Sequence, residues 1–477
     1  MAYEVTIGIE IHCELDTKTK MFSSSSVSHD APVNTCVNEV DLALPGTLPT
    51  VNKMAVEYAL RLSHALNMKI ESLVQFDRKN YFYSDLPKGY QITQQFNPIG
   101  EEGELIIHVN QEAKRIGITR LHMEEDTAKQ IHENDKTLID FNRAGVPLLE
   151  IVSEPELKSA QEAAAYVSEL QRLIKYVGIS EARMEDGQLR CDVNISLAPE
   201  GSDLLGTKVE IKNLNSINNV QKAIEKEIVR QSALLDNNEE IVQATMRFDE
   251  DLQETVLMRK KEGTVDYKYF REPNLYPIQL ESEWIHEIKE NLVELPHARL
   301  ERYTKELGLE FVNANILVAN KELSDFYDHL LDDNLNPIQS ANYVITEVVA
   351  NMPKDKVNFS EVFDVTEIKK LLQLIQDKTL SSKQAKMVLP ELVNKKKSVD
   401  KVVREKGLKQ ISDSATIQKW IDEILENNPQ VILDYAAGKD NSVKFVMGQV
   451  MKLSRGQANP AMANKMAVET LLSKTSK

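Results

Sequence analysis

Strict alternation of aliphatic and polar residues constrains the fold of this chain more than any other feature of its sequence. From Val5 to Leu15 most second residues are aliphatic, and the positions between them include Glu10, His12 and Glu14. A period of two is the pattern of a strand with one buried face. Three further segments alternate in the same way: 115–124, 189–197 and 207–214. The sequence therefore predicts several strands of one design, each with an ionisable face.

The composition of this polar face leaves two interpretations open. It carries Glu, His, Asp, Asn, Arg and Lys, whereas a face that is merely solvated favours Lys, Glu, Thr and Ser. The face is either the outer side of an antiparallel sheet in water, or the floor of a site for a charged ligand that lies on the core.

The densest charged stretch of the chain contains three acids in a row, Glu124, Glu125 and Asp126. Carboxylates at this density repel one another unless basic side chains or a divalent metal lie among them. Hard carboxylates together with one imidazole suit Mg²⁺ or Mn²⁺. We therefore expect a metal site that uses His12, Glu150 and either Glu124 or Glu125.

Helical periodicity covers the segments between these strands and most of the second half of the chain. We predict helices over 52–68, 159–178 and 215–235 as cover for the sheet. From about residue 287 periodic Leu, Ile and Val replace the alternation, and a basic run at 395–407 precedes a helical unit at 411–477. The sequence predicts a β-rich region followed by helices.

Charge and cysteine content exclude several classes of protein. The net charge of −17 over 477 residues argues against binding of polyanions without a local basic patch. Cys13, Cys36 and Cys191 form no C-x-x-C pair, which speaks against a disulfide framework or a cysteine zinc site and fits a reducing cytoplasm. Without a basic leader or a run of 18 apolar residues, we expect neither secretion nor membrane spanning.

The common phosphate-binding and nucleophile motifs are missing. The chain has no G-x-x-x-x-G-K-[ST] loop, no G-x-G-x-x-G after a strand, no G-x-S-x-G elbow and no Gly/Ser-rich stretch typical of an amidase. Two aromatic segments, 76–91 and 266–273, could stack bases or clamp phosphates, or form a packed aromatic corner. The loop 452–460 could contact a nucleic-acid backbone through Lys452 and Arg455.

Many of these segments resemble one family, the B subunits of the glutamyl/aspartyl-tRNA amidotransferases. The resemblance follows the chain in order through 7–12, 76–83, 118–126, 140–155, 189–196, 210–216 and 456–460. It implies an α+β fold that begins with a β-rich, kinase-like cradle domain, 1–292, in which a mostly antiparallel sheet is combined with helices. An all-α helical domain, 293–407, and a small all-α tail that contacts tRNA, 408–477, would follow.

The resemblance also implies a ligase that forms C–N bonds with glutamine as the amide donor. The cradle would use ATP and Mg²⁺ to phosphorylate the side-chain carboxylate of Glu-tRNA(Gln) or Asp-tRNA(Asn), because a carboxylate has no good leaving group. Ammonia from an amidase A subunit would then displace the phosphate. A small C subunit would complete a cytoplasmic heterotrimer. This division of labour agrees with the missing amidase nucleophile.

Carried over residue by residue, the resemblance implies the site residues. The metal region would contain Glu10, His12, Glu125 and Glu150, with His12, Glu125 and Glu150 as ligands and Glu124 beside them among the catalytic residues. The same floor would include the catalytic residues Asp192 and Lys212 and the nucleotide-binding residues Asn194 and Glu210. Lys79 and Arg120 would lie near the phosphates.

The sequence departs from the family at one metal site. Many members carry two cysteine pairs around a zinc, but Phe22–Ser26 and Asn38–Asp41 stand in those places here, so we predict no structural zinc. Arg271 and Asn274 replace an expected Pro and Asp, a change that the sequence does not explain. Two alternatives to the kinase function stay open: a non-catalytic tRNA-binding scaffold in the same complex, and a metal-dependent nuclease.

Overall fold

The chain forms two compact units, Met1–Ala298 and Arg299–Lys477. The computed structural model describes residues 3–260, 266–331, 334–408, 413–439, 441–454 and 456–475. Arg455 and residues 261–265, next to one predicted aromatic segment, lie outside this part of the chain. The predicted division into three domains at residues 292 and 407 stays a prediction.

The first unit combines strands and helices, which confirms the predicted α+β class. Its strands are β1 (Tyr3–Glu14), β2 (Lys69–Ile70), β3 (Leu73–Val74), β4 (Asp77–Asn80), β5 (Tyr90–Thr93), β6 (Gly100–Val109), β7 (Glu112–Glu125), β8 (Lys129–Glu133), β9 (Lys136–Asp140), β10 (Pro147–Ser153), β11 (Leu189–Pro199), β12 (Val209–Leu214), β13 (Ala244–Asp249), β14 (Glu254–Lys260), β15 (Phe270–Arg271) and β16 (Ile278–Gln279). Its helices are α1 (Lys53–Ala65), α2 (Ala160–Tyr176), α3 (Ile217–Asp236) and α4 (Ser282–Glu290).

Nine of these strands form one sheet in the order β14-β13-β12-β11-β1-β10-β7-β6-β2. Neighbours are antiparallel except β12 and β13, which are parallel, so the prediction of a mostly antiparallel sheet is confirmed. The first strand of the chain thus lies in the middle of the sheet, between β10 and β11. A three-stranded sheet, β15-β4-β5, carries the first predicted aromatic segment.

The alternation seen in the sequence separates the two faces of the large sheet. Ile7, Ile9 and Ile11 of β1 are buried in one hydrophobic core with residues of α1, α2 and α3. The side chain just before each helix accepts a hydrogen bond from a main-chain N–H of the helix's first turn. These N-cap residues are Asn52 for α1, Ser159 for α2 and Ser216 for α3. Because the helices cover the aliphatic face, the polar side chains of β1 lie on the other face.

The second unit is helical, as the change of pattern predicts. Its helices are α5 (Pro296–Glu301, across the boundary of the units), α6 (Phe311–Val318), α7 (Lys321–Leu330), α8 (Pro337–Tyr343), α9 (Phe359–Val362), α10 (Val365–Gln376), α11 (Ser382–Leu392), α12 (Val399–Lys406), α13 (Ser414–Asn427), α14 (Gln430–Ala436), α15 (Asn441–Leu453) and α16 (Pro460–Thr475). Residues of α13, α15 and α16 share a core that includes Ile421, Val446 and Ala467. Among the described residues, no helix is both long and apolar enough to cross a bilayer.

Candidate functional site

The register of the large sheet places two histidines and a glutamate in one row across three strands. His12 of β1 is opposite Glu150 of β10, and Glu150 is opposite His122 of β7. Directly opposed residues point to the same side of a sheet, so the three side chains meet on the polar face. Glu150 Oε2 lies 3.4 Å from His12 Nε2 and 3.0 Å from His122 Nε2.

Glu124 completes this cluster because it follows His122 by two residues in β7 and therefore points to the same face. Its Oε1 lies 3.5 Å from His12 Nε2, and its Oε2 lies 3.8 Å from His122 Nε2. One ligand atom each from His12, Glu124 and Glu150 all lie within 4.8 Å of one another. We call these three residues the triad.

The two carboxylates of the triad shift the pKa of His12 and of His122, and these imidazoles shift the pKa of Glu150. Burial lowers the pKa of His12, but its hydrogen bond to Glu150 and the charges of Glu124 and Glu150 outweigh burial and raise the pKa to about 9. Burial likewise opposes the rise in the pKa of His122, which the same two carboxylates produce. The two imidazoles in turn hold the pKa of Glu150 well below its usual value, against its burial. The carboxylates thus favour the positive form of both imidazoles, and the imidazoles favour the negative form of Glu150.

The donor set of the triad fits a divalent metal ion. Two carboxylates supply the oxygen ligands that Mg²⁺ and Mn²⁺ prefer, and an imidazole is an acceptable further ligand for Mn²⁺. The buried His122 lies next to Glu150, on the side away from His12. Its Nδ1 has no hydrogen-bond partner among the described residues. His12, Glu124 and Glu150 are the residues that would hold such an ion.

Glu125, which the sequence analysis placed among the metal ligands, is not brought to the triad. It is adjacent to Glu124 in β7, and adjacent strand residues point to opposite faces. Its Oε2 accepts a hydrogen bond from Lys88 Nζ at 2.7 Å, and its Oε1 accepts one from the Ile92 N–H at 3.0 Å. Glu125 and Lys88 line a separate cavity of about 180 Å³, which Asn274 also lines.

The triad opens into a larger cleft of about 520 Å³. Three basic side chains line this cleft together with His12 and Glu124: Lys79, Arg190 and Lys212. Arg190 of β11 is opposite His12 of β1. Its guanidinium group forms a two-point ion pair with Asp126, with Nη2–Oδ2 and Nη1–Oδ1 distances of 2.7 and 3.3 Å. The cleft thus presents cations next to the candidate metal site.

Lys79 and Lys212 stay charged although they are partly buried. Burial lowers the pKa of Lys79, but Glu124, Tyr269 and Glu150 raise it above its usual value. Burial also lowers the pKa of Lys212, which Asp192 and then Glu210 raise. Lys212 Nζ forms a short ion pair with Asp192 and lies 3.2 Å from Glu210 Oε1.

The remaining predicted floor residues lie on the same face of the sheet. Glu10 is opposite Asp192, and Asn194 is opposite Glu210. Asn194 Nδ2 donates to Glu10 Oε1 at 2.9 Å, while burial and then the charge of Glu150 raise the pKa of Glu10. Of the predicted phosphate neighbours, Lys79 lines the cleft. Arg120 instead donates to the main-chain carbonyl oxygens of Gln94 and Gln95.

The sequence analysis left His122, Asp126 and Arg190 out of the site. The alternation contains the signal for two of them, because His122 shares the parity of Glu124, and Arg190 shares the parity of Asp192. Asp126 follows the end of β7, where a period of two no longer applies.

Two departures from the family pattern now have a structural setting. In the region where many family members carry the cysteine pairs, Ser23 Oγ donates to Asp41 Oδ1 at 2.7 Å. The Nζ of the buried Lys20 lies 3.3 Å from Asp41 Oδ2. The expectation that this region holds no zinc stays a prediction. Arg271 pairs with Asp77 in the small sheet, and the Asn274 N–H donates to the Glu272 carboxylate at 2.8 Å.

Comparison with known proteins matches both units to one family. Residues 5–286 match the model described as the GatB/GatE catalytic domain, and residues 325–471 match the model described as the GatB domain. The chain is 47% identical over 473 residues to the B subunit of the aspartyl/glutamyl-tRNA(Asn/Gln) amidotransferase of Oceanobacillus iheyensis, with 99% of both chains covered. It is 46% identical to the proteins of the same name from Geobacillus thermodenitrificans and Staphylococcus carnosus, again with 99% of both chains covered.

Proposed function

This chain belongs to the GatB family of tRNA-dependent amidotransferase B subunits, and we propose that its first unit phosphorylates the amino acid of a mischarged tRNA. A side-chain carboxylate oxygen of Glu-tRNA(Gln) or Asp-tRNA(Asn) attacks the γ-phosphorus of ATP, and the bond to ADP breaks. Ammonia then attacks the acyl carbon of the acyl phosphate. Phosphate leaves, ammonia gives up a proton, and an amide remains.

The triad of His12, Glu124 and Glu150 is the observation that carries this proposal. Phosphoryl transfer needs little covalent chemistry from the protein, but it needs charge stabilisation and positioning. A Mg²⁺ ion held by the triad would supply positive charge at the phosphate oxygens. This places the chemistry on the polar face of the sheet, whose other face is fixed by the packed helices.

The basic residues of the cleft have a separate role. Lys79, Arg190 and Lys212 line the same cleft as the triad and carry positive charge at neutral pH. Arg190 and Lys212 are held by ion pairs with Asp126 and Asp192. Lys79 lies against the Tyr81 and Tyr267 rings, so all three cations have defined positions before a phosphate arrives. Preorganised cations stabilise charge that develops in the transition state without reorganising during the reaction.

The ammonia and the assembly come from partners in this proposal. The sequence has no motif for an amidase nucleophile, and the relatives are named as B subunits, so we assign glutamine hydrolysis to an amidase A subunit. A small C subunit would complete a heterotrimer in the cytoplasm, where aminoacyl-tRNA is used. In this complex the chain acts as part of a ligase that forms C–N bonds with glutamine as the donor.

The test is ADP release by the assembled complex with Mg²⁺, ATP and mischarged tRNA. Glu150→Gln removes the charge that both histidines share without changing the size of the side chain, and we expect ADP release to fall by about 100-fold or more. Glu104→Gln is the matched control, because Glu104 also lies on a strand of the sheet and its carboxylate binds Arg115 and Asn67, neither of which belongs to the site. Binding of tRNA is measured for both variants.

Two results would contradict the proposal. If the Glu150→Gln complex binds tRNA and releases ADP at the wild-type rate, the acidic floor is a structural ion site and the chain is a tRNA-binding scaffold. If the wild-type complex releases ADP equally well without mischarged tRNA, the cleft does not phosphorylate the amino acid. Cleavage of free tRNA by this chain with Mg²⁺ would instead support a nuclease.

A further inference from the structure

Five aromatic rings form a continuous arc beside the cleft. In order they are Tyr83, Tyr81, Tyr267, Tyr269 and Phe96, with centroid distances of 5.9, 6.0, 6.0 and 6.5 Å between successive rings. The interplanar angles lie between 63° and 73°, so the rings meet edge to face. The two aromatic segments of the sequence thus come together as one surface, which we call the aromatic arc.

Main-chain contacts hold the arc in place. Asn80, the last residue of β4, donates its N–H to the Tyr267 carbonyl at 3.0 Å and its Nδ2 to the Lys268 carbonyl at 2.7 Å. These bonds fix the segment that carries Tyr267 and Tyr269 next to the turn that carries Tyr81. The rings are therefore presented by strand ends and hydrogen-bonded loops, and stacking on them costs little ordering.

The arc lines the cleft at Tyr81 and ends beside it at the exposed ring of Tyr83. Tyr81 and Lys79 line the cleft that contains the triad, and Lys79 Nζ lies 5.7 Å from the Tyr81 ring and 5.0 Å from the Tyr267 ring. The neighbouring side chains of Phe82 and Tyr83 are 87% and 61% exposed. A packed aromatic corner would bury these rings, so the structure favours the other interpretation of the segment, a stacking surface.

The exposed ring of Phe82 is supported on one edge by the turn at Gly89. One edge of its ring lies over Gly89, where an added Cβ would come within 3.0 Å of Phe82 Cε1. Gly89 also has a φ of +73°, which favours glycine. The turn therefore supports one edge of the Phe82 ring and leaves the rest of it open to a ligand.

We propose that Phe82 and Tyr83 stack an unpaired nucleobase of a substrate whose reacting group lies at the triad. This inference rests on the proposed function, which brings two such bases to the cleft: the adenine of ATP and the 3′-terminal base of the tRNA. Stacking on aromatic rings accepts any base, because every base has a π-face. It also gives affinity without a basic surface, which a chain with a net charge of −17 does not provide in general.

Lys79 links the stacking surface to the triad. Its ammonium group lies over two rings of the arc, those of Tyr81 and Tyr267, and Lys79 lines the same cleft as Glu124. A nucleotide with its base on Phe82 and Tyr83 and its reacting group at the triad would place a phosphate or ester between them, next to this charge. The same arrangement serves both candidate bases.

The test compares aromatic with aliphatic replacements in the assembled complex. The double variant Phe82→Leu/Tyr83→Leu keeps apolar side chains but removes both π-faces, whereas Phe82→Trp/Tyr83→Phe keeps them. Tyr276→Leu is the matched control, because Tyr276 is 88% exposed and lies outside the arc. Equilibrium binding is measured for ATP, for intact tRNA and for tRNA that lacks its 3′-terminal nucleotide.

We expect the double Leu variant to lose about 10-fold in affinity for one of the two substrates, and the aromatic variant to keep it. A loss for intact tRNA that vanishes with truncated tRNA identifies the terminal base of the tRNA. A loss for ATP alone identifies adenine.

The inference is overturned if neither affinity changes, or if truncated tRNA loses as much as intact tRNA. It is also overturned if the aromatic variant or Tyr276→Leu weakens binding as much as the double Leu variant. These measurements use binding alone, so they are independent of whether ADP release depends on mischarged tRNA.

Discussion

The neighbouring acids Glu124 and Glu125 give the sharpest test of how the sheet builds the candidate metal site. Both are buried, and both become Gln without a change in size. Glu124 places an oxygen 3.5 Å from His12 Nε2, whereas Glu125 is bound to Lys88 and to the Ile92 N–H. The same substitution at adjacent positions therefore removes a charge from opposite sides of one strand.

The two substitutions should change different properties: Glu124→Gln the affinity for metal, and Glu125→Gln the stability of the fold. Loss of a residue that hydrogen-bonds to a metal ligand costs about 10- to 100-fold in metal affinity. Glu124 would be a ligand itself, so Glu124→Gln should cost about 100-fold or more. Glu125→Gln should leave metal affinity within about 3-fold, which is under 1 kcal/mol. It should instead lower stability by about 3 kcal/mol, because Lys88 loses its buried partner.

Calorimetric titration of the full-length chain with Mn²⁺ measures the first effect, and thermal unfolding without metal measures the second. Position on the strand does not decide which acid is the ligand if both variants lose Mn²⁺ affinity equally, or if only Glu125→Gln loses it. In either case Glu125 would be the ligand that the sequence resemblance implied, and the side chains would rearrange when the metal binds.

Three further predictions concern stability and the need for a metal. Arg78→Met should destabilise the first unit by about 3 kcal/mol in chemical denaturation, because it leaves the fully buried Glu272 without its two-point partner; near-wild-type stability would refute this. Asp325→Asn should cost about 2 kcal/mol at pH 7 through loss of the Arg299 ion pair. Burial raises the pKa of Asp325, but Lys321 and Arg299 outweigh burial and lower it. Because the pKa is lowered by folding, the carboxylate's contribution to stability is lost as the pH falls through the folded-state pKa. Wild type and variant should therefore unfold alike in acid, and a difference that stays constant with pH would contradict this. Chelation of divalent ions should abolish ADP release and added Mn²⁺ should restore it, whereas undiminished release in chelator would exclude a metal at the triad.

The strands and helices that position the site were predictable because they follow simple periods. The alternation from Val5 to Leu15 corresponds to β1, and the helix predicted over 159–178 is α2, with Ser159 at its start. The strand order was not predictable in the same way, since it depends on pairing between distant segments. No local pattern says that β1 lies between β10 and β11, or that β12 and β13 run parallel.

The alternation of the sequence indicates which face of a strand a side chain lies on, but not which partners from other segments that side chain binds. Parity alone groups Glu124 with His122 and separates both from Glu125, although the resemblance to the family favoured Glu125 as the ligand. Arg120 shares the parity of His122, yet its guanidinium group binds two main-chain carbonyl oxygens instead of facing the cleft. Such contacts come from a loop that is distant in sequence, so the alternation cannot indicate them.

Under the proposed function, the charge of the floor leads us to expect that nucleotide and metal bind together. The five acids on or beside the floor outnumber the three lysines and arginines that line the cleft by two, and His12 and His122 offset this difference only while both are protonated. ATP alone would add negative charge to this surface, and it would compete with the carboxylates for the same bases. A divalent cation at the triad removes both obstacles, since it neutralises the acids and releases positive charge toward the phosphates. The acids in question are Glu10, Glu124, Glu150, Asp192 and Glu210, and the bases are Lys79, Arg190 and Lys212.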